Sequence, residues 1–193
     1  HITVLANSNL TFSEDADVSS SGFGSIDLKA TSGVLDLSVT SDQDAGDGDI
    51  RFEAGTNVLL GGTATTSGDI SVKAGGAILD RDTDESIDLI GASLRLEAAS
   101  GDIGKLTADE NNPLETKVST VSAKAGGDIN LYESNQIVVG DTPVTVNRVG
   151  TNAVVADFTD VLQSDLKTTA DGSILIRTAS GDIILQDGTG ADN

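Results

Sequence analysis

Carboxylates dominate the chemistry open to this chain, and two short runs of them have spacings that suit a metal loop built from oxygen ligands. Asp42-Gln43-Asp44-Ala45-Gly46-Asp47-Gly48-Asp49 places Asp42, Asp44, Asp47 and Asp49 within one short segment. Asp80-Arg81-Asp82-Thr83-Asp84-Glu85 sets Asp80, Asp82 and Asp84 at alternate positions. Hard oxygen donors in such patterns favour calcium. Neither run completes a known loop. Glu85 stands where an EF-hand takes glycine and Gly91 where it takes its bidentate glutamate, and the first run lacks the glycine-rich nonapeptide of calcium β-rolls. The pattern requires no cofactor. Calcium is the one these aspartates admit, and solvated acidic corners are the plainer reading.

Composition narrows the rest. The formal charge is -20, from 31 acidic and 11 basic residues, which argues against nucleic acid and anionic membrane surfaces as partners. The one histidine is His1 and there is no cysteine, which removes Ser-His-Asp catalysis and zinc sites built on His or Cys. Arg51, Arg81, Arg95, Arg148 and Arg177 are scattered, there is no tryptophan, and Tyr132 is the single tyrosine. A carbohydrate-cleaving groove needs paired carboxylates or a carboxylate with a base, and nothing local repeats such a constellation. The sequence reads as non-enzymatic. No apolar stretch approaches a membrane span, so membrane insertion is not expected.

The element that must position these residues is a repeat. Gly-Asp-Ile returns at Gly48, Gly68, Gly101, Gly127 and Gly181, each time opening an alternating apolar and polar run. Ile26-Asp27-Leu28-Lys29-Ala30, Ile50-Arg51-Phe52-Glu53-Ala54, Ile70-Ser71-Val72-Lys73-Ala74 and Leu94-Arg95-Leu96-Glu97-Ala98 put aliphatic side chains on a dry face and charges on a wet one. A second apolar strand follows each, pairing Ile26 with Leu35, Ile50 with Val58, Ile70 with Ile78, Leu94 with Ile103, Val121 with Ile129 and Ile174 with Ile183. A third fits at Ser86 to Ile90 and Gln136 to Val139. No window sustains helical spacing.

The expected fold is all-β: one parallel β-helix (β-solenoid) over residues 1–193, with three short strands per turn and about eight turns. At roughly 4.8 Å per turn the rod is about 40 Å long. The 22 glycines suit many tight corners needing positive φ. Both ends fall inside the repeat, so the chain reads as a segment of a longer repetitive protein. A tandem pair of immunoglobulin-like sandwiches is the alternative fold, and the repeat phase shows no boundary for it. The motif aspartates Asp49, Asp69, Asp102, Asp128 and Asp182 read as corner residues accepting hydrogen bonds from backbone amides.

Ser100-Gly101-Asp102-Ile103-Gly104, Asn112-Pro113-Leu114-Glu115-Thr116 and the run from Val121 to Glu133 resemble repeats of giant bacterial surface proteins related to filamentous haemagglutinins, as does Gly76-Ala77-Ile78-Leu79-Asp80. The resemblance covers most of the chain from Gly24 to Leu185, and its motifs specify architecture better than activity. It implies a right-handed helix, export to the cell surface or medium, and a shaft role in adhesion. The partners it implies are neighbouring repeats of the same chain and a protein or glycan receptor on another cell. The alternatives are a calcium-stabilised adhesive module and a polysaccharide-degrading β-helix, the latter marked by a groove where acids converge with Arg51, Arg95 or Arg177.

Residues 140–171 are the least regular part, read as a long corner, a hydrophobic cover or an outward loop. For the outward loop, Val154, Val155 and Phe158 are the expected contacts.

Overall fold

A computed structural model describes residues 1–109 and 111–189. The described residues contain no helix, and short parallel strands stack into a β-solenoid. The first face is built from Ile2–Ala6, Ile26–Ala30, Ile50–Ala54, Ile70–Ala74, Ser93–Ala98 and Thr120–Ala125. Its register aligns Ile26, Ile50, Ile70, Leu94 and Val121, each opening an alternating run, and Ile50 and Ile70 among them follow the Gly-Asp phrase. In-register stacking follows from period-two alternation, because slipping by one residue would turn every aliphatic side chain outward. Rows Leu28, Phe52, Val72, Leu96, Ala123 and Ala30, Ala54, Ala74, Ala98, Ala125 complete this side of the core, and all are buried. Each larger aliphatic contributes about 1.5–3 kcal/mol by burial.

The second face stacks Leu10–Phe12, Leu35–Leu37, Val58–Leu60 and Ile78–Asp80, and single bridges through Ile103 to Ile129 extend it. The third carries Val18–Ser19, Gln43–Asp44, Ala64–Thr65, Leu89–Ile90, Leu114–Lys117, Ile129–Glu133 and Ile174–Thr178.

The stack makes about five regular turns, not the eight expected. The reason lies at Ile129–Glu133. Ile129 stacks on Ile103 of the second face and Leu131 on Leu114 of the third, so one strand spans both faces and the three-sided path closes early. In the turn below, the same junction holds a small hairpin, Lys105–Leu106 against Asn111–Asn112. Asn130 Nδ2 ties it down by donating to Lys105 O at 2.6 Å and to Asn111 Oδ1 at 2.8 Å. Ile174 therefore stacks on Ile129 and Ile183 on Ile137, so this pair is out of phase with the five earlier ones, and Ile137–Val139 joins the first face, not the third.

Glycine is used differently from the expectation of positive φ at many corners. Only Gly22, Gly46, Gly104 and Gly181 take positive φ among the described glycines. Gly48 shows the commoner reason: a Cβ there would lie 2.3 Å from Gly24 O in the turn below.

Candidate functional site

Residues 140–171 leave the stack and form a strap. Thr145–Val149 pairs antiparallel with Val155–Thr159, and Thr142 bridges Gln163 at the base. The hairpin lies across the outer surface of the first face. Going out, Asn147 N donates to Ser25 Oγ at 3.1 Å, Arg148 Nε to Asp27 Oδ2 at 2.5 Å and Val149 N to Thr3 Oγ1 at 2.9 Å. Coming back, Asp160 accepts from Arg51 at 3.0 and 3.2 Å, Val161 O accepts from Arg95 Nε at 3.0 Å, and Gln163 Nε2 donates to Leu96 O at 2.8 Å.

The face that reads as wet is therefore covered. Asp27, Arg51, Ser71, Arg95 and Ser122 point outward along successive strands and are all buried. What the strap covers is polar, and charge pairing makes that burial tolerable. Asp27 takes Arg148 and, at 3.5 Å, Arg51. Both guanidiniums pack on the Phe158 ring, whose centre is 4.5 Å from Arg51 Cζ and 4.0 Å from Arg148 Cζ. Of the expected contact residues, Val154 and Val155 are exposed near the hairpin tip, whereas Phe158 is half-buried and packs on Arg51 and Arg148.

Between strap and face runs a groove of about 510 Å3, lined by Lys29, Arg51, Glu53, Lys73, Arg95, Glu97, Lys124 and strap residues 158–163. Lys29 pairs with Glu53 at 3.1 Å and Lys73 with Glu97 at 3.6 Å, while Arg51 and Arg95 each reach the same glutamates at 2.7 Å. Burial pushes Glu53 up, but Arg51 and then Lys29 outweigh it and hold the carboxyl below its usual range. Glu97 is likewise lowered against its burial by Arg95, Lys73 and Lys124, and Asp160 by Arg51. All three are ionised at neutral pH.

The sequence-predicted metal ligands lie elsewhere. Asp42 Oδ1 accepts from Thr63 N at 3.0 Å, Asp44 Oδ1 from Gly46 N at 2.8 Å, Asp47 Oδ1 from Ser67 Oγ at 2.8 Å, and Asp49 Oδ1 from Asp69 N at 2.8 Å. Asp80, Asp82 and Asp84 form consecutive Asx turns, accepting from Asp82 N, Asp84 N and Ser86 N at 3.0, 3.1 and 2.6 Å. The fold does bring the two runs near each other: Asp42, Asp82, Asp84 and Asp88 line one hollow of about 400 Å3. Among the described residues no group of three or more carboxylates or histidines is arranged to hold a metal ion.

One cluster was missed by sequence reasoning. Asp80 sits in register with Leu60, an inward position, and it neighbours Asp88 and Glu115. Burial, then the charge of Asp82, raises Asp80 to about 6. Burial with the charge of Asp80 raises Glu115 to about 7 and Asp88 to about 9. The available signal was Asp80 at the third position of a strand whose counterparts are Phe12, Leu37 and Leu60.

Comparisons with known proteins add no identification: no protein-family model, no curated protein and no solved structure matches this chain.

Proposed function

We propose that this chain is a structural and adhesive segment of a large exported bacterial cell-surface protein, a stiff rod that extends and presents a binding face to a receptor on another cell. The observation that carries the reading is the strap, whose Val149 is tied to Thr3 in the first turn and whose Gln163 is tied to Leu96 in the fifth. A solenoid stacked only on nearest neighbours can fray turn by turn, and a clamp along its axis opposes that. The acidic surface keeps such a rod soluble and self-repelling. The test is attachment: beads coated with the purified chain adhere to target cells more than uncoated beads under flow. Equal attachment removes the adhesive part of the reading.

A polysaccharide-degrading groove is the second reading, favoured by Glu53, Glu97 and Asp160 converging with Arg51 and Arg95. Glycoside cleavage needs one carboxyl held protonated as acid, and elimination needs a base that gives up its proton. Here every carboxyl is pushed towards ionisation, and Arg51 is raised by Asp160 and Glu53 against its burial. The groove is built to hold, and we expect no new reducing ends or unsaturated products from acidic polysaccharides incubated with the chain.

A further inference from the structure

Strand register lays the groove charges out in a row. Lys29, Glu53, Lys73, Glu97 and Lys124 occupy the same position on consecutive first-face strands. With strands near 4.8 Å apart, the ammonium groups recur about every 9.6 Å with a carboxylate between each pair. Five cations face three carboxylates in the groove, an excess of positive charge in a chain whose net charge is -20. Nearly half of its 11 basic residues are gathered there. An anion repelled by the rest of the surface is focused into this cleft. Arg95 adds a second, independent sign. It is 4% exposed and lines the groove, Nε and Nη2 are engaged by Val161 O and Glu97, and Nη1 has no hydrogen-bond partner among the described residues. A buried guanidinium donor left unmade is costly, and a ligand oxygen relieves it.

We infer that the groove binds an acidic polysaccharide of the polyuronate kind, lying along the solenoid axis with its carboxylates at Lys29, Lys73 and Lys124 and its hydroxyls donating to Glu53 and Glu97. A pyranose unit in an extended chain advances by about one strand spacing, so alternate sugars meet successive lysines. An acidic peptide fits less well, because its carboxylates would also meet Glu53 and Glu97 without hydroxyl donors between them. Phe158 offers no stacking platform, since both arginines already occupy it. Binding is therefore electrostatic and falls steeply with salt.

The inference names the ligand class for the adhesive reading and rests on it for its biological meaning. The probe is polygalacturonate, with dextran as neutral control and polyglutamate as peptide control, each titrated calorimetrically into the intact chain at about 0.01 M and about 1 M ionic strength. Polygalacturonate binds at low salt, dextran does not, and polyglutamate binds at least about ten-fold more weakly. The Lys29→Gln/Lys73→Gln/Lys124→Gln variant keeps Arg51 and Arg95 on their glutamates, so the fold stays intact. It loses about ten-fold or more in affinity, while Lys117→Gln, on the third face, binds as the parent does. No binding above dextran, equal binding of polyglutamate, or full binding by the triple variant overturns the assignment. If coated beads still attach to cells when polygalacturonate does not bind, this inference fails and the adhesive reading stands. If neither occurs, both fail.

Discussion

Asp27 and Arg148 stand 121 positions apart in the chain, and their side chains meet at 2.5 Å beneath the strap, with Asp27 wholly buried. Removing one partner of a buried pair costs about 3–5 kcal/mol, since the other charge is left in a poor solvent. Arg148 is partly exposed and Arg51 remains at 3.5 Å, so Arg148→Ala is expected to cost about 2 kcal/mol, lowering Tm by about 4–8 °C. The hairpin also becomes more open to protease around residues 150–155. The Asp27→Asn/Arg148→Ala double variant should melt above Arg148→Ala, because no buried charge is then orphaned. Thermal melts with timed proteolysis check this, and a Tm unchanged in Arg148→Ala would show that the strap is not clamped here.

Asp102 illustrates how the corner aspartates hold successive turns. Its Oδ1 accepts from Asp128 N, one turn on, at 2.8 Å, and Asp128 Oδ1 in turn accepts from Ser173 N at 2.6 Å. Asn57 and Asn9 do the same for Ala77 N and Val34 N. An acceptor is what the site requires, and a negative charge is not. Asp102→Ala should cost about 1 kcal/mol, or about 2–4 °C, whereas Asp102→Asn should melt at or above the parent because it relieves repulsion on a chain of charge -20. Equal losses in both variants would mean that the charge itself matters.

The ladder from Ile26 to Val121 was legible because alternation and a recurring phrase act locally, strand by strand. The later phase of Ile174 was not, since it depends on one strand around Asn130 bridging two faces, and no period in the sequence records that merger. Arg51 and Arg95 carry the pattern of exposed outer positions, and only a strap contributed by residues about a hundred or more positions away for Arg51, and some 66 for Arg95, buries them. The same holds for Asp80, Asp88 and Glu115, whose proximity comes from stacking and not from spacing. Local chemistry at the corners was readable: the aspartates were expected to accept from backbone amides. The structure shows that for Asp49, Asp69, Asp102 and Asp128 those amides belong to the next turn.

Calcium makes a direct test of the acidic runs. Asp42, Asp44 and Asp49 already accept backbone N–H groups, and the carboxylates lining the hollow with Asp42 do not converge. A ligand stabilises only by binding the folded state more tightly. Chelator-treated chain melted with and without millimolar calcium should therefore differ by less than about 2 °C, under 1 kcal/mol for a protein of this size, with magnesium as control. A larger shift specific to calcium, abolished by Asp82→Asn/Asp84→Asn, would establish a site in that hollow.

Stability should fall as pH rises through neutrality, the reverse of what salt-bridged carboxylates produce. Asp88, raised to about 9 by burial and by Asp80, Glu115 and Asp82, keeps a proton in the native state that the unfolded chain releases above 3.8. Glu115 at about 7 and Asp80 at about 6 act in the same direction. The native state then binds more protons across this window, so the stability these groups confer is full below their unfolded values and is lost up to their folded ones. Glu53, Glu97 and Asp160 have lowered values, and their contribution is lost only on acidification below the ordinary carboxylate range. Tm should accordingly be several degrees higher at pH 5 than at pH 8. Asp88 Oδ2 accepts from Glu115 N at 3.0 Å, a bond that an asparagine oxygen can replace. Asp88→Asn should therefore melt higher than the parent at pH 8, with the gap narrowing through pH 5 and closing only near pH 4, which flattens the slope between. A variant that melts lower at pH 8, or keeps the parental slope, would mean that Asp88 is ionised in the native protein.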